Sequence, residues 1–279
     1  MHHRIAIGAI MLVTVLGMTT SNARAFDESR YPGWKGQWLR TDTGIPRYDP
    51  GKPAGRGQQA PLTPEYQAVL EASLADQAAG GQGNDPTYTC IAPGMPRIMN
   101  NYEGAEFVIT PGTTYISTGT DLRRIFTDGR PWPTDLEPTY QGYTIGRWID
   151  QDGDGVYATL EAETRGPFKG PRAYDATGLP LHFDNESTFK EKFFIDKAGL
   201  LHDIITVFDH ALTRPWTVDK TFRRNPNPYP NWSRTACTET TQHIVVGKEA
   251  YMLSADGMLM PAKKDQPPPD LRYFKQTQK

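Results

Sequence analysis

Two short clusters in the sequence join a histidine to carboxylates and could move a proton. Asp209, His210 and Arg214 lie together in FDHALTRPW, and His182 precedes Asp184 in LPLHFDNES. A neutral imidazole beside a carboxylate can act as a general acid or base near pH 7, and a nearby arginine can stabilise developing negative charge. These clusters suggest a lyase or isomerase that uses no organic cofactor. The alternative is structural, because polar residues at strand ends commonly satisfy loop backbone.

A second pattern pairs arginine with tryptophan around proline. GRPWP contains Arg130 and Trp132, and TRPWT contains Arg214 and Trp216. Aromatic and cationic side chains at the rim of an apolar cavity suit a planar or carboxylated hydrophobic ligand. The pattern therefore predicts a site for a small hydrophobic or aromatic molecule, with packing at strand ends as the alternative.

The segment DQDGDGVYATLE has the residue spacing of a calcium-binding EF-hand loop, with Asp150, Asp152 and Asp154 at alternate positions. After Gly155, however, apolar and polar residues alternate with period two, which indicates a strand instead of a helix. A strand would carry Glu161 roughly 20 Å beyond Gly155, too far to complete the coordination. We expect a hairpin turn that binds Ca²⁺ weakly at most, and we expect no other cofactor.

Two cysteines are present, Cys90 and Cys237. In an oxidising compartment an even number of cysteines favours a disulfide. The alternative is a metal site, because Glu239 and His243 follow Cys237 closely, although this spacing matches no standard zinc motif.

The start of the chain has the features of a secretory signal peptide. Arg4 precedes the apolar run IAIGAIMLVTVLGM, and small residues lead to a predicted cleavage after Ala25. The apolar run is short for a membrane span of about 20 residues, so an uncleaved anchor is the weaker alternative. We expect a periplasmic or secreted protein with no membrane span in the mature chain. The formal net charge of −2 argues against nucleic acid as a partner.

The rest of the pattern predicts one helix and many strands. Thr63 can cap a helix whose apolar side chains share one face, and Pro64 suits its first turn. From residue 105, short alternating segments are separated by turn dipeptides, which is typical of an antiparallel meander. The prediction is an all-β protein whose meander closes into a lipocalin-like barrel. We divide the chain into a signal peptide (1–25), an N-terminal strand, linker and helix (26–104), a barrel (105–260) and a proline-rich tail (261–279).

Several longer motifs resemble a family of exported, uncharacterised proteobacterial proteins. They are CIAPGMPRIM, RRIFTDGRPWP, YTIGRWID, KGPRAYDATGLPLHFDNE, DHALTRPWTV and LMPAKKDQPPPDLRYF. The chain is similar, more distantly, to secreted acidobacterial proteins with a Gly-Arg-Trp strand and a later Arg-Pro-Trp. The resemblance covers nearly all of residues 30–275 and implies export of a single mature unit, without an activity, cofactor or catalytic residue.

The leading hypothesis from the sequence is a periplasmic barrel that binds a small hydrophobic or aromatic molecule in its interior. The acid–base enzyme is the first alternative. A structural envelope protein without a ligand, with the proline-rich tail as its contact surface, is the second.

Overall fold

A computed structural model describes most of the chain from residue 26 onward. The predicted signal peptide lies outside the described residues. The described ranges are 26–79, 83–119, 121–170, 172–175, 181–182, 186–231, 243–246, 249–253, 258–262 and 265–267.

Nine strands form a closed barrel, which confirms the all-β prediction. Around the barrel the order is β1-β11-β10-β9-β6-β5-β4-β3-β2. The strands are β1 (Gly36–Arg40), β2 (Ala105–Ile109), β3 (Thr113–Ser117), β4 (Leu122–Phe126), β5 (Tyr143–Ile149), β6 (Thr159–Arg165), β9 (Thr188–Ile195), β10 (Leu201–Phe208) and β11 (Trp216–Arg224). The barrel thus begins with the strand at Gly36, ahead of the helix, and its last strand ends at Arg224.

Eight of the nine neighbouring pairs in the barrel are antiparallel, as a meander predicts. The exception is the pair β4–β5, which is parallel and joins Phe126 to Ile145. An odd number of strands cannot alternate in direction all the way round a ring, so one parallel pair is required. The connection across this pair, residues 127–142, runs over the outside of the barrel and contains Arg130 and Trp132.

Five shorter strands form two small sheets that are separate from the barrel sheet. β7 (Arg172–Ala173) pairs with β8 (Leu181–His182), and a three-stranded sheet follows the barrel in the chain. Its strands are β12 (His243–Val246), β13 (Glu249–Leu253) and β14 (Leu259–Pro261).

The helix α1 (Pro64–Ala78) begins where the sequence predicts. The hydroxyl of Thr63 accepts a hydrogen bond from the Tyr66 backbone N–H, and Pro64 occupies the first turn, where a missing N–H has no consequence. Leu70 is buried against the core. No helix within the described ranges is both long and apolar enough to cross a membrane.

Alternation of side chains across each barrel strand separates an interior face from an outer face. In β9, Phe189, Glu191 and Phe193 are buried, whereas Lys190 and Lys192 are exposed. The same period of two buries alternate residues of β10 and β11. The interior face is therefore mostly apolar but includes charged positions.

Candidate functional site

Four charged side chains lie inside the barrel and form an interior cluster: Arg123 of β4, Glu191 of β9, Asp203 of β10 and Lys220 of β11. All four are buried. The Arg123 guanidinium donates one hydrogen bond of 2.7 Å to Glu191 Oε1 and a second, shorter one to Oε2. It also donates to Thr164 Oγ1 at 2.9 Å. These two hydrogen bonds pair the Arg123 cation with the Glu191 anion. The pairing compensates for the hydration that both charges lose when they are buried.

Asp203 and Lys220 are directly opposite each other on β10 and β11. The Lys220 ammonium donates to the backbone carbonyl of Tyr48 and lies 4.2 Å from the centre of that ring. Neither carboxyl oxygen of Asp203 has a hydrogen-bond partner among the described residues. Burial, reinforced by Glu191, raises the pKa of Asp203 well above its ordinary value. Burial lowers the pKa of Lys220 to about 8, which still leaves its ammonium mostly protonated near pH 7.

Aromatic and aliphatic side chains fill the interior on both sides of the interior cluster. Tyr48, from the segment between β1 and α1, packs against Tyr174 and Trp216 with ring centres 4.9 and 4.5 Å away. Other interior residues have no more than 1 % of their surface exposed: Trp34, Phe107, Ile116, Ile125, Phe189, Phe193 and Ile205. The described interior is therefore largely filled by side chains, and a ligand cavity inside the barrel stays a prediction.

An open groove of about 520 Å³ lies instead on the outer face of the barrel, across β5, β6, β9 and β10. We call it the outer groove. Its volume is in the range of about 300–1,000 Å³ that is typical of small-molecule sites. The outward-facing side chains that line it are Trp132, Ile145, Arg147, Glu161, Glu163, Lys190, Lys192, Ile204 and Thr206.

Cross-strand charge pairs cover much of the groove floor. Arg147 binds Glu161 at 2.7 Å, and Lys190 lies 3.9 Å from Glu163. Lys192 is opposite Glu161 in the strand register and lies 5.6 Å from the Phe194 ring, but it forms no ion pair among the described residues. Lys192 is thus a cation that remains available to a bound anion.

The loop between β4 and β5 holds Trp132 over the outer groove. Arg130 anchors the loop, because its guanidinium binds Asp128 at 2.6 Å, donates to the Tyr143 hydroxyl and stacks on Phe126 at 3.9 Å. The guanidinium of Arg165 lies 4.2 Å from the Trp132 ring. Because cation–π contact and the anchored loop fix the indole, it provides a preformed aromatic wall.

Trp132 and Trp216 do not form one rim. Trp132 is half-buried at the outer groove, whereas Trp216 is 5 % exposed and packs in the interior. The two tryptophans lie on opposite sides of the barrel wall. Arg130 has a structural role in its loop, and the exposed Arg214 donates to the carbonyl of Pro215 at 3.4 Å.

Hydrogen bonds from neighbouring residues orient Asp209 and His210, the acid–base cluster at the end of β10. His210 Nε2 lies 3.0 Å from the Tyr66 hydroxyl of α1. The Asp209 carboxylate accepts from Ser187 Oγ at 2.5 Å and from the Ala211 backbone N–H at 2.8 Å. These contacts tie the helix and a turn to the barrel, and a catalytic role for the pair stays a prediction.

The second acid–base cluster and the cysteine pair lie partly beyond the described residues. His182 is in β8, opposite Arg172, whereas Asp184 lies outside the described ranges. Cys90 follows a short turn at Pro86–Thr89, and Cys237 lies outside the described ranges. The disulfide therefore stays a prediction.

The aspartate loop forms the hairpin turn between β5 and β6 that the sequence predicts. Asp150 accepts hydrogen bonds of 2.8 Å from the backbone N–H groups of Gly153 and Gly155, whose φ angles are 72° and 87°. Asp154 accepts from the N–H of Val156, and Asp152 is exposed. In the described part of the chain, no three acidic, histidine or cysteine side chains converge to hold a metal ion. Weak Ca²⁺ binding stays a prediction.

Sequence reasoning missed the interior cluster and the lysines of the outer groove. The available signal was the period-two alternation of the strands. Glu191, Asp203 and Lys220 each lie an even number of residues from the buried apolar residues of their strand, and so face the same side. A charged residue at a position that the alternation assigns to the buried face indicates an interior group that is paired with another.

Comparisons of the chain with protein-family models, curated proteins and solved structures give no match. The resemblance to exported proteobacterial proteins therefore stays a prediction.

Proposed function

We propose that the protein acts in the periplasm, after export, by binding a small aromatic molecule that carries a negative charge. The outer groove is the binding site. The observation that carries this proposal is an open, ligand-sized groove with Trp132 at its wall and Lys192 on its floor.

The charge of the groove favours an anion. Three cationic side chains line it, Arg147, Lys190 and Lys192, against two outward-facing acidic ones, Glu161 and Glu163. The third acid of the lining, Glu191, is buried and already paired with Arg123. A carboxylate could pair with Lys192 without breaking an existing ion pair, so electrostatic attraction would not be offset by a lost contact.

The apolar groups of the groove favour a ring. Trp132 supplies an indole, and Ile145 and Ile204 supply aliphatic surface from β5 and β10. An aromatic ring that lies against an indole gains the free energy of burying its apolar surface. Offset stacking of the two rings adds about 1 kcal/mol. A planar aromatic anion therefore matches both the walls and the charge.

A matched pair of probes tests the proposal. The probes are 2-naphthoate and its neutral analogue 2-naphthamide, with affinities measured by isothermal titration calorimetry. We expect wild-type protein to bind the anion more tightly than the amide. Lys192→Gln should weaken 2-naphthoate binding about fivefold and leave 2-naphthamide binding unchanged, because one exposed charge contact is worth about 1 kcal/mol.

Trp132→Leu should weaken the binding of both probes, since it removes the ring contact. Arg223→Gln is the control, because Arg223 is an exposed cation on β11 away from the groove. Equal affinity of both probes for wild-type protein, or an equal loss in the control, would rule out the outer groove as a site selective for anions.

A further inference from the structure

The outer groove and its tryptophan wall carry more positive charge than one bound carboxylate neutralises. Four cationic side chains line the floor of the groove or lie against the Trp132 ring: Arg147, Lys190, Lys192 and Arg165. The outward-facing acids of the described lining are Glu161 and Glu163. The charge that is left for a ligand therefore depends on which cations these two acids already neutralise.

Each of the two acids is held by an arginine. Arg147 donates two hydrogen bonds, of 3.0 and 2.7 Å, to Oε2 of Glu161. Nε of Arg165 donates to Oε1 of Glu163 at 2.5 Å. Hydrogen bonds between charged groups at these distances are the strong ones, so the two arginines neutralise the two acids. Asp219, the next outward-facing acid across the sheet from Lys192, is bonded to a histidine at 2.9 Å.

Two lysines remain once the acids are paired. Lys192 forms no ion pair among the described residues. The ammonium of Lys190 lies 3.9 Å from Oε2 of Glu163, which is beyond hydrogen-bond distance, and 5.4 Å from the Phe208 ring. An exposed ion pair of this length contributes little, so Lys190 can turn toward a ligand at small cost. The groove thus offers two positive charges.

The two lysines are spaced for two separate anionic groups. Lys190 and Lys192 are two residues apart on β9 and exposed on the same face, which places their Cα atoms about 7 Å apart. Across the strands the groove reaches from β5 to β10, three spacings of about 4.8 Å each. This length accommodates a ring with an acidic group at both ends.

We infer that the outer groove selects an aromatic dianion that carries one carboxylate at each end of its ring system. The inference rests on the proposed function, which supplies the ring contact with Trp132 and the first carboxylate at Lys192. Lys190 binds the second carboxylate and is the specificity-determining residue. A ligand with a single carboxylate occupies the same site with lower affinity.

A pair of probes that differ by one charge tests the inference. They are naphthalene-2,6-dicarboxylate and its monoamide, 6-carbamoyl-2-naphthoate, compared by isothermal titration calorimetry. We expect wild-type protein to bind the dicarboxylate about fivefold more tightly, as one exposed charge contact predicts. Lys190→Gln should abolish this preference and leave the affinity for 2-naphthoate unchanged. Lys197→Gln is the control, because Lys197 is an exposed lysine in the turn after β9, outside the groove, and the preference should persist.

A third probe, 2-naphthyl phosphate, carries both negative charges at one end when the pH is about 8. Its affinity should not depend on Lys190. A loss in Lys190→Gln as large as that of the dicarboxylate would overturn the arrangement with one carboxylate at each end.

Two other results would overturn the inference while the proposed function stands. One is equal affinity of wild-type protein for the dicarboxylate and the monoamide, with 2-naphthoate binding still dependent on Lys192. The other is a preference for the dicarboxylate that persists in Lys190→Gln. If no naphthalene carboxylate binds at the outer groove, the proposed function fails together with the inference.

Discussion

Arg123 and Glu191 meet inside the barrel through two hydrogen bonds, and at most 1 % of either side chain is exposed. The pair joins β4 to β9, strands that are not neighbours in the sheet. It therefore ties together two parts of the wall that backbone hydrogen bonds do not connect.

Removing one member of this pair should destabilise the fold strongly. Glu191→Gln leaves the Arg123 cation buried without its counter-charge, and we expect a loss of about 3–5 kcal/mol in the free energy of unfolding, measured by urea denaturation. Glu163→Gln, in an exposed pair with Arg165, should lose less than about 1 kcal/mol. The combined change Arg123→Met and Glu191→Leu should recover much of the loss. Similar losses for the buried and exposed variants would contradict the burial of the pair.

Asp203 should make the stability depend on pH. Its pKa is raised by burial and by Glu191, so the folded protein keeps a proton that the unfolded chain releases. The residue's contribution to the free energy of unfolding is therefore greatest below about pH 4 and is lost as the pH rises toward the folded-state pKa.

The variant Asp203→Asn removes this dependence, because the amide does not titrate. We expect the stability of the variant relative to wild-type protein to increase as the pH rises from about 4 toward the folded-state pKa of Asp203, as measured by urea denaturation. Asp152→Asn, at an exposed position, should show no such trend. A flat difference for Asp203→Asn would mean that Asp203 is ionised in the folded state.

His202 on the outer face should titrate above its ordinary pKa of 6.5. Burial alone would lower the pKa, but hydrogen bonds to Asp219 and Asp196 outweigh it and raise the pKa. Its ring also stacks on Phe194, with centres 4.8 Å apart. The stabilisation from protonated His202 is complete below about pH 6.5 and is lost as the pH rises through the folded-state pKa.

NMR titration of the His202 ring measures this directly. Asp219→Asn should lower the pKa of His202, because it removes the 2.9 Å contact with Nδ1. A titration of His202 below 6.5 in wild-type protein would show that burial dominates.

The sequence was sufficient to predict the individual strands and the helix, and to predict that the sheet closes into a barrel. Period-two alternation located the strands, Thr63 and Pro64 located the start of α1, and the residues after Gly155 distinguished a hairpin from an EF-hand. Each of these signals comes from residues that are close in the chain. The contacts of Arg123 with Glu191, by contrast, depend on how the barrel closes across 68 positions.

The two Arg-Pro-Trp motifs show why the site was harder to predict. Trp216 begins a strand in the same phase as Val218 and is therefore directed into the core. Trp132 belongs to a connection forced outside by the parallel pair β4–β5, a consequence of having nine strands. Identical tripeptides thus lie on opposite sides of the wall, and only the topology of the whole barrel distinguishes them.

Chemical-shift mapping of ¹⁵N-labelled protein with 2-naphthoate tests the central claim, that the ligand site is the outer groove, most directly. We predict saturating shifts of the Trp132 indole N–H and of the amides of Arg147 and Lys192, with the Trp38 indole N–H unchanged in its 2.8 Å hydrogen bond to the Trp34 carbonyl. Saturating shifts centred on Trp38 and other interior residues, with none at the outer groove, would contradict the account.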